Sequence, residues 1–189
     1  KFTRTLKKVV SPRLKDEKID MIRNYREQSV FENIYLITNR GYVFHSARHG
    51  PDRYTNLLTG PFKHTNLARL VAKVRKTNSF GMSDFENYMP LQHAPASFMA
   101  QPVISSGQVK FIVAAQFSIS QINAIAGERT GLGRTGETYF VGPDKMLRNN
   151  SHRLSAQKIM TSMLNPEHTI DTEATLSAFS GSSGTKIIK

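Results

Sequence analysis

The chain has 189 residues, of which 39% are hydrophobic, and this is enough for one ordinary domain or for one domain plus a fragment of another. No run of about 18 apolar residues occurs, and the opening KFTRTLKKVV lacks the apolar centre of a signal peptide. The absence of cysteine excludes disulfides, thiolate metal sites and a cysteine nucleophile.

The net charge of +12 is by itself typical of proteins that bind nucleic acid or an anionic surface. Its distribution favours another explanation, because the basic residues are scattered and, in KDEKIDMIRNYRE, mixed with acids. The sequence contains no basic cluster with the interleaved aromatic residues of an RNA-binding strand. We expect a solvated basic surface and no nucleic-acid partner, and nucleic-acid binding stays an alternative.

The first predicted element is a long helix from Ser11 to about Val30. Ser11 can cap this helix, and Pro12 suits its first position. A charged helix with a narrow apolar stripe packs on its own domain or on a second copy of itself, and the two are compatible. The stripe, at helical spacing, consists of Leu14, Ile19, Ile22 and Tyr25.

A β-hairpin is predicted next in NIYLITNRGYVFHSA, because Asn39-Arg40-Gly41 separates two β-prone runs and both Asn and Gly tolerate positive φ. The following RHGPDRYTNLLTGPFKHTN has the Gly, Pro and Asn content of a long loop, which in a compact domain is usually functional or disordered. Residues Thr65 to Thr77 then predict a helix. Its apolar face consists of Leu67, Leu70, Val71 and Val74.

Three more strands are predicted. Ser83 to Met89 alternates apolar and polar residues, and Ala96 to Ile119 holds two apolar runs separated by Ser-Ser-Gly-Gln, a hairpin pattern. The whole order predicts an α+β, PAS-like fold with a five-stranded antiparallel sheet. Small residues in the last hairpin leave room on the sheet for a covering helix or a ligand: Ser97, Ala100, Ala114 and Ala115.

The rest of the chain predicts short elements. They are a connecting helix over Ser118 to Arg129, a hairpin turning on Gly142-Pro143-Asp144, a helix over His152 to Leu164 and a short helix capped by Asp171. The intervening GLGRTG satisfies G-x-G-x-x-G, but a helix precedes it and a β-prone run follows, which excludes the dinucleotide-binding arrangement. We interpret this segment as a flexible junction between modules.

The sequence contains no constellation of catalytic or metal-binding residues. Its six histidines are dispersed, and neither a G-x-S-x-G elbow nor a G-x-x-x-x-G-K-[ST] phosphate loop occurs. We expect a protein that is not an enzyme and that uses no metal and no cofactor. A small hydrolase or isomerase using His93 with Asp84 or Glu86 is an alternative.

Two segments carry a family resemblance: SDFENYMPLQHAPASFMAQPVISSGQVKFIVAAQFSISQINAI and GRTGETYFVGPDKMLRNNSHRL. They resemble the extracytoplasmic double Cache sensor domains of bacterial methyl-accepting chemotaxis proteins and related transmembrane signalling proteins. The resemblance implies a membrane-distal Cache module with its N-terminal helix in residues 1–130, and the beginning of an incomplete membrane-proximal module in residues 131–189.

The same resemblance implies a function and a location. The chain would be the periplasmic, small-molecule-sensing region of an inner-membrane chemotaxis receptor, with the sensor region of a histidine kinase or a cyclase as the alternative. Its N-terminal helix would continue a transmembrane segment and pair with that of a second copy in a homodimer. Ligand binding would displace this helix.

Six residues are predicted to contact the ligand. Tyr88, Phe98 and Gln116 come from the last three strands and would form the pocket wall, while the others would close it. Core packing is the alternative for the aromatic residues. The closing residues are Tyr54 and Asn56 in the long loop and His93 in a turn.

The residue at position 116 bears on the ligand's charge. Cache modules that bind amino acids commonly carry an Asp there and an Arg-x-Trp-Tyr cluster, whereas this chain has Gln116 and no tryptophan. A neutral amide does not offset the cost of desolvating an ammonium group. We therefore predict a ligand that is not a free amino acid, and favour an anionic or neutral metabolite.

Overall fold

The computed structural model describes residues 16–151 and 169–185, and the chain divides into two compact units between Ser118 and Ile119. Several predictions from the sequence fall outside the described residues: the Ser11 cap, Pro12 and the helix over His152 to Leu164. The assignment of residues 131–189 to a second Cache module stays a prediction. Among the described residues, no helix is both long and apolar enough to cross a membrane.

The first unit is built on an antiparallel sheet whose strands differ in length. The predicted α+β class and antiparallel sheet are therefore confirmed. The spatial order of the strands is β2-β1-β6-β5-β3, and β4 pairs with another part of β5. The strands are β1 (Phe31–Thr38), β2 (Val43–Ser46), β3 (Gly81–Met82), β4 (Glu86–Asn87), β5 (Pro95–Ser105) and β6 (Gln108–Phe117).

Both predicted hairpins of this unit are confirmed. Strands β1 and β2 turn at Gly41, whose φ is 87° and whose backbone N–H donates to the Thr38 carbonyl at 2.9 Å. Strands β5 and β6 turn at Ser106 and Gly107, which both have positive φ, as a tight hairpin turn with right-handed strand twist requires.

The prediction of one continuous strand over Ser83 to Met89 is wrong. Two short strands, β3 and β4, flank Ser83–Phe85 instead, and a 3-10 turn follows at Met89–Leu91. The buried Asn66 side chain lies against this interruption, and its amide donates to the Asp84 carbonyl at 3.1 Å and to the Ala96 carbonyl at 2.8 Å. The Asp84 carbonyl, between the two short strands, is thereby satisfied by a side chain, while Ala96 still pairs in register with Glu86.

Two helices cover the sheet, one on each face. Helix α1 (Asp16–Glu27) lies on one face, and α2 (Asn66–Thr77) lies on the other. The predicted start of α2 is confirmed, since the Thr65 hydroxyl caps it by accepting from the Ala68 N–H at 3.2 Å. The predicted apolar face of α2 is buried.

The alternation of side chains along the strands separates two cores. On the α2 face, Tyr35, Ile37, Ala100 and Ala114 pack with the apolar side of the helix. The small residues Ala100 and Ala114 therefore lie in the core beneath a covering helix. A covering helix was one of the two alternatives predicted from their small size, the other being a ligand. The core on the α1 face contains Ile22, Ile34, Leu36 and Val113.

The long loop between β2 and α2, residues 47–65, runs along the free edge of β2. The Tyr54 N–H donates to the Val43 carbonyl at 2.8 Å, and the Val43 N–H donates to the Thr55 carbonyl at 2.9 Å. Leu57 then enters the core, where it is fully buried. The loop thus protects a sheet edge that would otherwise expose unpaired backbone groups.

The second unit contains α3 (Ile119–Ala126) and α4 (Glu173–Phe179). The predicted turn at Gly142 is confirmed, since its N–H donates to the Met146 carbonyl at 2.9 Å. The prediction that Asp171 caps the short helix is wrong. Thr172 caps α4, because its hydroxyl accepts from the Thr175 N–H, whereas Asp171 pairs with Lys145 at 2.8 Å.

Gly41→Ala is expected to destabilise the first unit by about 2–3 kcal/mol, because a side chain strains the left-handed backbone and adds a clash. An added Cβ would lie 2.5 Å from the Leu58 Cγ. Gly107→Ala is the matched control, since its φ is 71° but an added Cβ meets nothing within 4 Å. In urea unfolding, the free energy of unfolding of this control should fall by only about 1 kcal/mol. An equal fall in the two variants would contradict the role of the Leu58 contact.

His45 makes stability depend on pH. It is 4% exposed on β2 and pairs in register with Leu36, on the α1 face. Burial, followed by the charges of Arg53, His49 and Arg23, lowers the pKa of His45 to about 4. The folded chain therefore holds this imidazole neutral at pH values where an unfolded one takes up a proton.

We expect the contribution of His45 to be complete above about pH 6.5, the usual pKa of an unfolded histidine. It is lost as the pH falls from there to about 4, because only the unfolded chain gains a proton in that window. The loss should amount to at most about 3 kcal/mol. His45→Gln should remove this dependence of the unfolding free energy on pH. Chemical denaturation of both proteins between pH 7 and pH 4 measures it. Parallel curves would contradict the assignment.

Candidate ligand-binding site

A row of three side chains crosses the sheet at one end of the α2 face. Asn33 on β1 pairs in register with Gln116 on β6, and Gln116 pairs with Phe98 on β5. All three are buried. The two amides of this row, Asn33 and Gln116, lie in an otherwise apolar face and must be satisfied by hydrogen bonds or by a ligand.

Three aromatic rings meet at the Phe98 end of this row. The Phe98 ring makes two edge-to-face contacts: its centroid lies 4.8 Å from that of Tyr88 and 6.1 Å from that of Tyr35. Tyr88 follows β4, so the interrupted course of that segment decides where its ring lies. The rings surround polar groups with apolar walls, which strengthens the electrostatic interactions inside.

A carboxyl group from the loop completes the arrangement. Asp52 is 1% exposed, and its Oδ2 accepts a hydrogen bond from the Tyr88 hydroxyl at 2.7 Å. Its Oδ1 is buried and has no hydrogen-bond partner. Gly50 lies beside this oxygen, and an added Cβ there would stand only 2.8 Å from it.

Gln116 connects the interior to the surface. Its Oε1 accepts from the Tyr35 hydroxyl at 3.3 Å, and its Nε2 donates to Glu32 Oε2 at 3.2 Å. Glu32 in turn pairs with Arg48 at 3.1 Å. A bulge in β1 between Phe31 and Asn33 brings Glu32 to this position, and bulges often redirect a side chain next to a functional site.

Both tyrosines keep their protons. Burial, followed by the charge of Asp52, raises the pKa of Tyr35 well above its usual value. Burial, followed by the influence of Tyr35 and Asp52, also raises the pKa of Tyr88. The two hydroxyls are therefore neutral hydrogen-bond donors at any physiological pH.

We call Asn33, Tyr35, Asp52, Tyr88, Phe98 and Gln116 the polar–aromatic cluster. Three of the residues predicted from the sequence, Tyr88, Phe98 and Gln116, are thus brought together by the fold. Asn33, Tyr35 and Asp52 were missed. The alternation in β1 places Tyr35 on the same face as Ile37 and was a usable signal, whereas nothing in RHGPDRYTNLL marks Asp52 as buried.

The structure places the other three predicted residues on surfaces. Tyr54 is 58% exposed, and the Arg53 guanidinium lies 4.4 Å above its ring. Asn56 stabilises a turn, since its Oδ1 accepts from the Leu58 N–H and its Nδ2 donates to the Arg40 carbonyl. His93 is exposed in a turn with φ 65°. Tyr54 and Asn56 belong to the part of the loop that pairs with the edge of β2, which is why they do not reach the cluster.

The acids of the alternative enzyme hypothesis have structural partners. Glu86 pairs with Arg69, and the Asp84 Oδ1 accepts from the Phe85 N–H at 2.7 Å. Within residues 16–151 and 169–185, no group of three or more His, Asp and Glu side chains could hold a metal ion.

Comparison with known proteins identifies the fold. No family model matches the sequence, and no curated protein matches it. The ligand-binding domain of Campylobacter jejuni chemoreceptor Tlp3, solved with 4-methylisoleucine, superposes with a TM-score of 0.61 and 14% identity, over 95% of this chain and 66% of that one.

Two further solved structures are similar. The extracellular ligand binding receptor from Desulfohalobium retbaense has a TM-score of 0.59 and 9% identity, over 85% of this chain and 29% of that one. The ligand-binding domain of the Pseudomonas aeruginosa amino acid chemoreceptor PctC, solved with GABA, has a TM-score of 0.55 and 10% identity, over 80% of this chain and 64% of that one. The chain therefore spans from under a third to about two thirds of these structures, and its fold is that of the Cache (PAS-like) sensor domains.

Proposed function

We propose that this chain is the extracytoplasmic, small-molecule-sensing region of a transmembrane chemotaxis receptor. The observation that carries the proposal is the polar–aromatic cluster, which lies on the sheet of a sensor-domain fold beneath a long loop. Similar solved structures bearing this fold are described as ligand-binding domains, and three strands and the loop all contribute to the cluster here. The same input would serve a histidine kinase or a cyclase.

The ligand would bind between the loop and the sheet. Asp52 holds the loop through Tyr88, and Gln116 is joined to β1 through both Tyr35 and Glu32. A ligand that takes over one of these hydrogen bonds favours a different arrangement of loop and strand. The binding step is therefore also the step that changes the position of β1.

The signal would leave the domain through β1 and α1. Tyr35 faces the cluster, while the neighbouring Ile34 and Leu36 face the other way and pack with Ile22 of α1. Because the core is close-packed, a shift of β1 is passed to the helix instead of being absorbed. We propose that α1 continues a membrane-crossing segment and pairs with its counterpart in a homodimer, and that residues 131–189 begin the membrane-proximal module.

No step of this mechanism is a chemical reaction. The groups of the cluster bind and orient, and Glu86 and Asp84, the acids of the enzyme alternative, are engaged in other contacts. We infer that the domain is a sensor and not an enzyme.

A thermal-shift screen of small carboxylates, amino acids, amines and nucleobases tests the function. A ligand that binds only the folded chain raises its melting temperature by mass action. At a concentration 100 times the Kd, it stabilises the folded chain by about 2.7 kcal/mol. We expect at least one class to do so. No change of melting temperature with any class, together with tight, salt-dependent retention on DNA, would favour the nucleic-acid alternative and contradict the sensor proposal.

Gln116→Leu should weaken binding of any ligand found in that screen by about tenfold or more, because it removes both hydrogen bonds of the amide. Gln101→Leu is the matched control, since Gln101 pairs in register with Val113 and so lies on the α1 face of the same sheet. Isothermal titration of the three proteins measures the effect. Equal affinity in all three would place the binding site elsewhere.

A further inference from the structure

Asp52 has a half-satisfied carboxyl group in the interior of the first unit. One oxygen accepts from the Tyr88 hydroxyl at 2.7 Å, while the other is buried without a hydrogen-bond partner. Burying a carboxylate is costly unless it is paired and fully hydrogen-bonded. A buried unsatisfied acceptor in a native fold needs an explanation, and a ligand is one of the few available.

No described residue supplies the missing charge. No ion pair joins Asp52 to a Lys, Arg or His within the part of the chain that the structure describes. Its neighbour Arg53 directs its guanidinium over the Tyr54 ring. The polar–aromatic cluster itself contains one acid and no base, so within the cluster Asp52 has no positive counter-charge.

The surroundings of Asp52 fit an ammonium group. Besides Oδ1, the cluster offers hydroxyl oxygens from Tyr35 and Tyr88 and the Gln116 Oε1 as acceptors, enough for the three N–H donors of a primary ammonium. The faces of the aromatic rings add attraction for a cation in a site shielded from water. Gly50 leaves the space beside Oδ1 without a side chain.

We propose that Asp52 is the counter-ion for the protonated amino group of a small primary amine that lacks a carboxylate. The proposal rests on the sensor function above and names its ligand class. A carboxylate ligand would face the Asp52 charge, and no base in the cluster would hold the carboxylate of an amino acid. This inference revises the predicted anionic or neutral ligand: the acid absent from position 116 is supplied by the loop, at position 52.

The test uses three probes of similar length and different charge: n-butylammonium, n-butanol and n-butyrate. Putrescine, a diamine, and GABA, which carries both an ammonium and a carboxylate group, are tested beside them. Thermal shift and isothermal titration are run on the full chain and on two variants. Asp52→Asn removes the charge but keeps the shape and an oxygen that accepts from Tyr88. Glu86→Gln is the control, since it removes one surface carboxylate that pairs with Arg69.

We expect n-butylammonium or putrescine to raise the melting temperature of the wild type and of Glu86→Gln. Asp52→Asn should bind the same amine at least about tenfold more weakly, because a charge-assisted hydrogen bond becomes a neutral one. Asp52→Asn should also melt no lower than the wild type without ligand, since it removes an uncompensated buried charge.

Three results would overturn the amine proposal. They are an equal response to n-butanol or n-butyrate, undiminished amine binding by Asp52→Asn, and no response to any amine at millimolar concentration. A response to a carboxylate or to a neutral compound in place of amines would leave the sensor function standing. The two proposals therefore fail by different outcomes.

Discussion

The hydrogen bond between the Tyr88 hydroxyl and Asp52 is the interaction on which the rest of the site depends. It joins two irregular segments, the 47–65 loop and the segment between β4 and β5, and adds a side-chain contact to the backbone hydrogen bonds there, such as that from the Tyr88 N–H to the Ala94 carbonyl at 3.1 Å. The bond is buried, so water does not compete for it and its strength is close to that of a charge-assisted bond in a dry interior. Because only one carboxyl oxygen is used, the same contact that closes the fold leaves an acceptor unsatisfied.

Strand β1 is the element through which such a site can act at a distance. Its alternation presents Tyr35 to the cluster and Leu36 to the core beneath α1, so one strand belongs to both cores of the first unit. The bulge before Asn33 adds a second connection, since it directs Glu32 toward Gln116. A ligand would therefore act on a strand that is already tied to the helix by packing, and no separate relay is required.

The charge of the chain has little to do with this site. Exposed ion pairs such as Arg23 with Asp20 and Arg69 with Glu86 contribute little to stability. Among the described residues, Asp52 is 1% exposed and Arg148 is 7% exposed, but Arg148 pairs with Asp144, whereas no ion pair reaches Asp52. Net charge describes the surface, whereas in the proposed site a ligand would meet the few groups that the fold removes from water.

The sequence by itself determined the antiparallel sheet, both hairpins, the start of α2 and the family likeness, because these follow from local rules: alternation along a strand, glycine at positive φ, a hydroxyl at a helix cap. It also singled out Tyr88, Phe98 and Gln116, which the fold brings together. Only the tertiary structure decided that Asn66 binds the segment between β3 and β4, that Tyr54 and Asn56 pair with a sheet edge, and that Asp52 is buried against Tyr88. Each of these depends on a contact between residues far apart in the chain, and an acid in a polar loop has the same local pattern whether it faces water or a tyrosine 36 residues away.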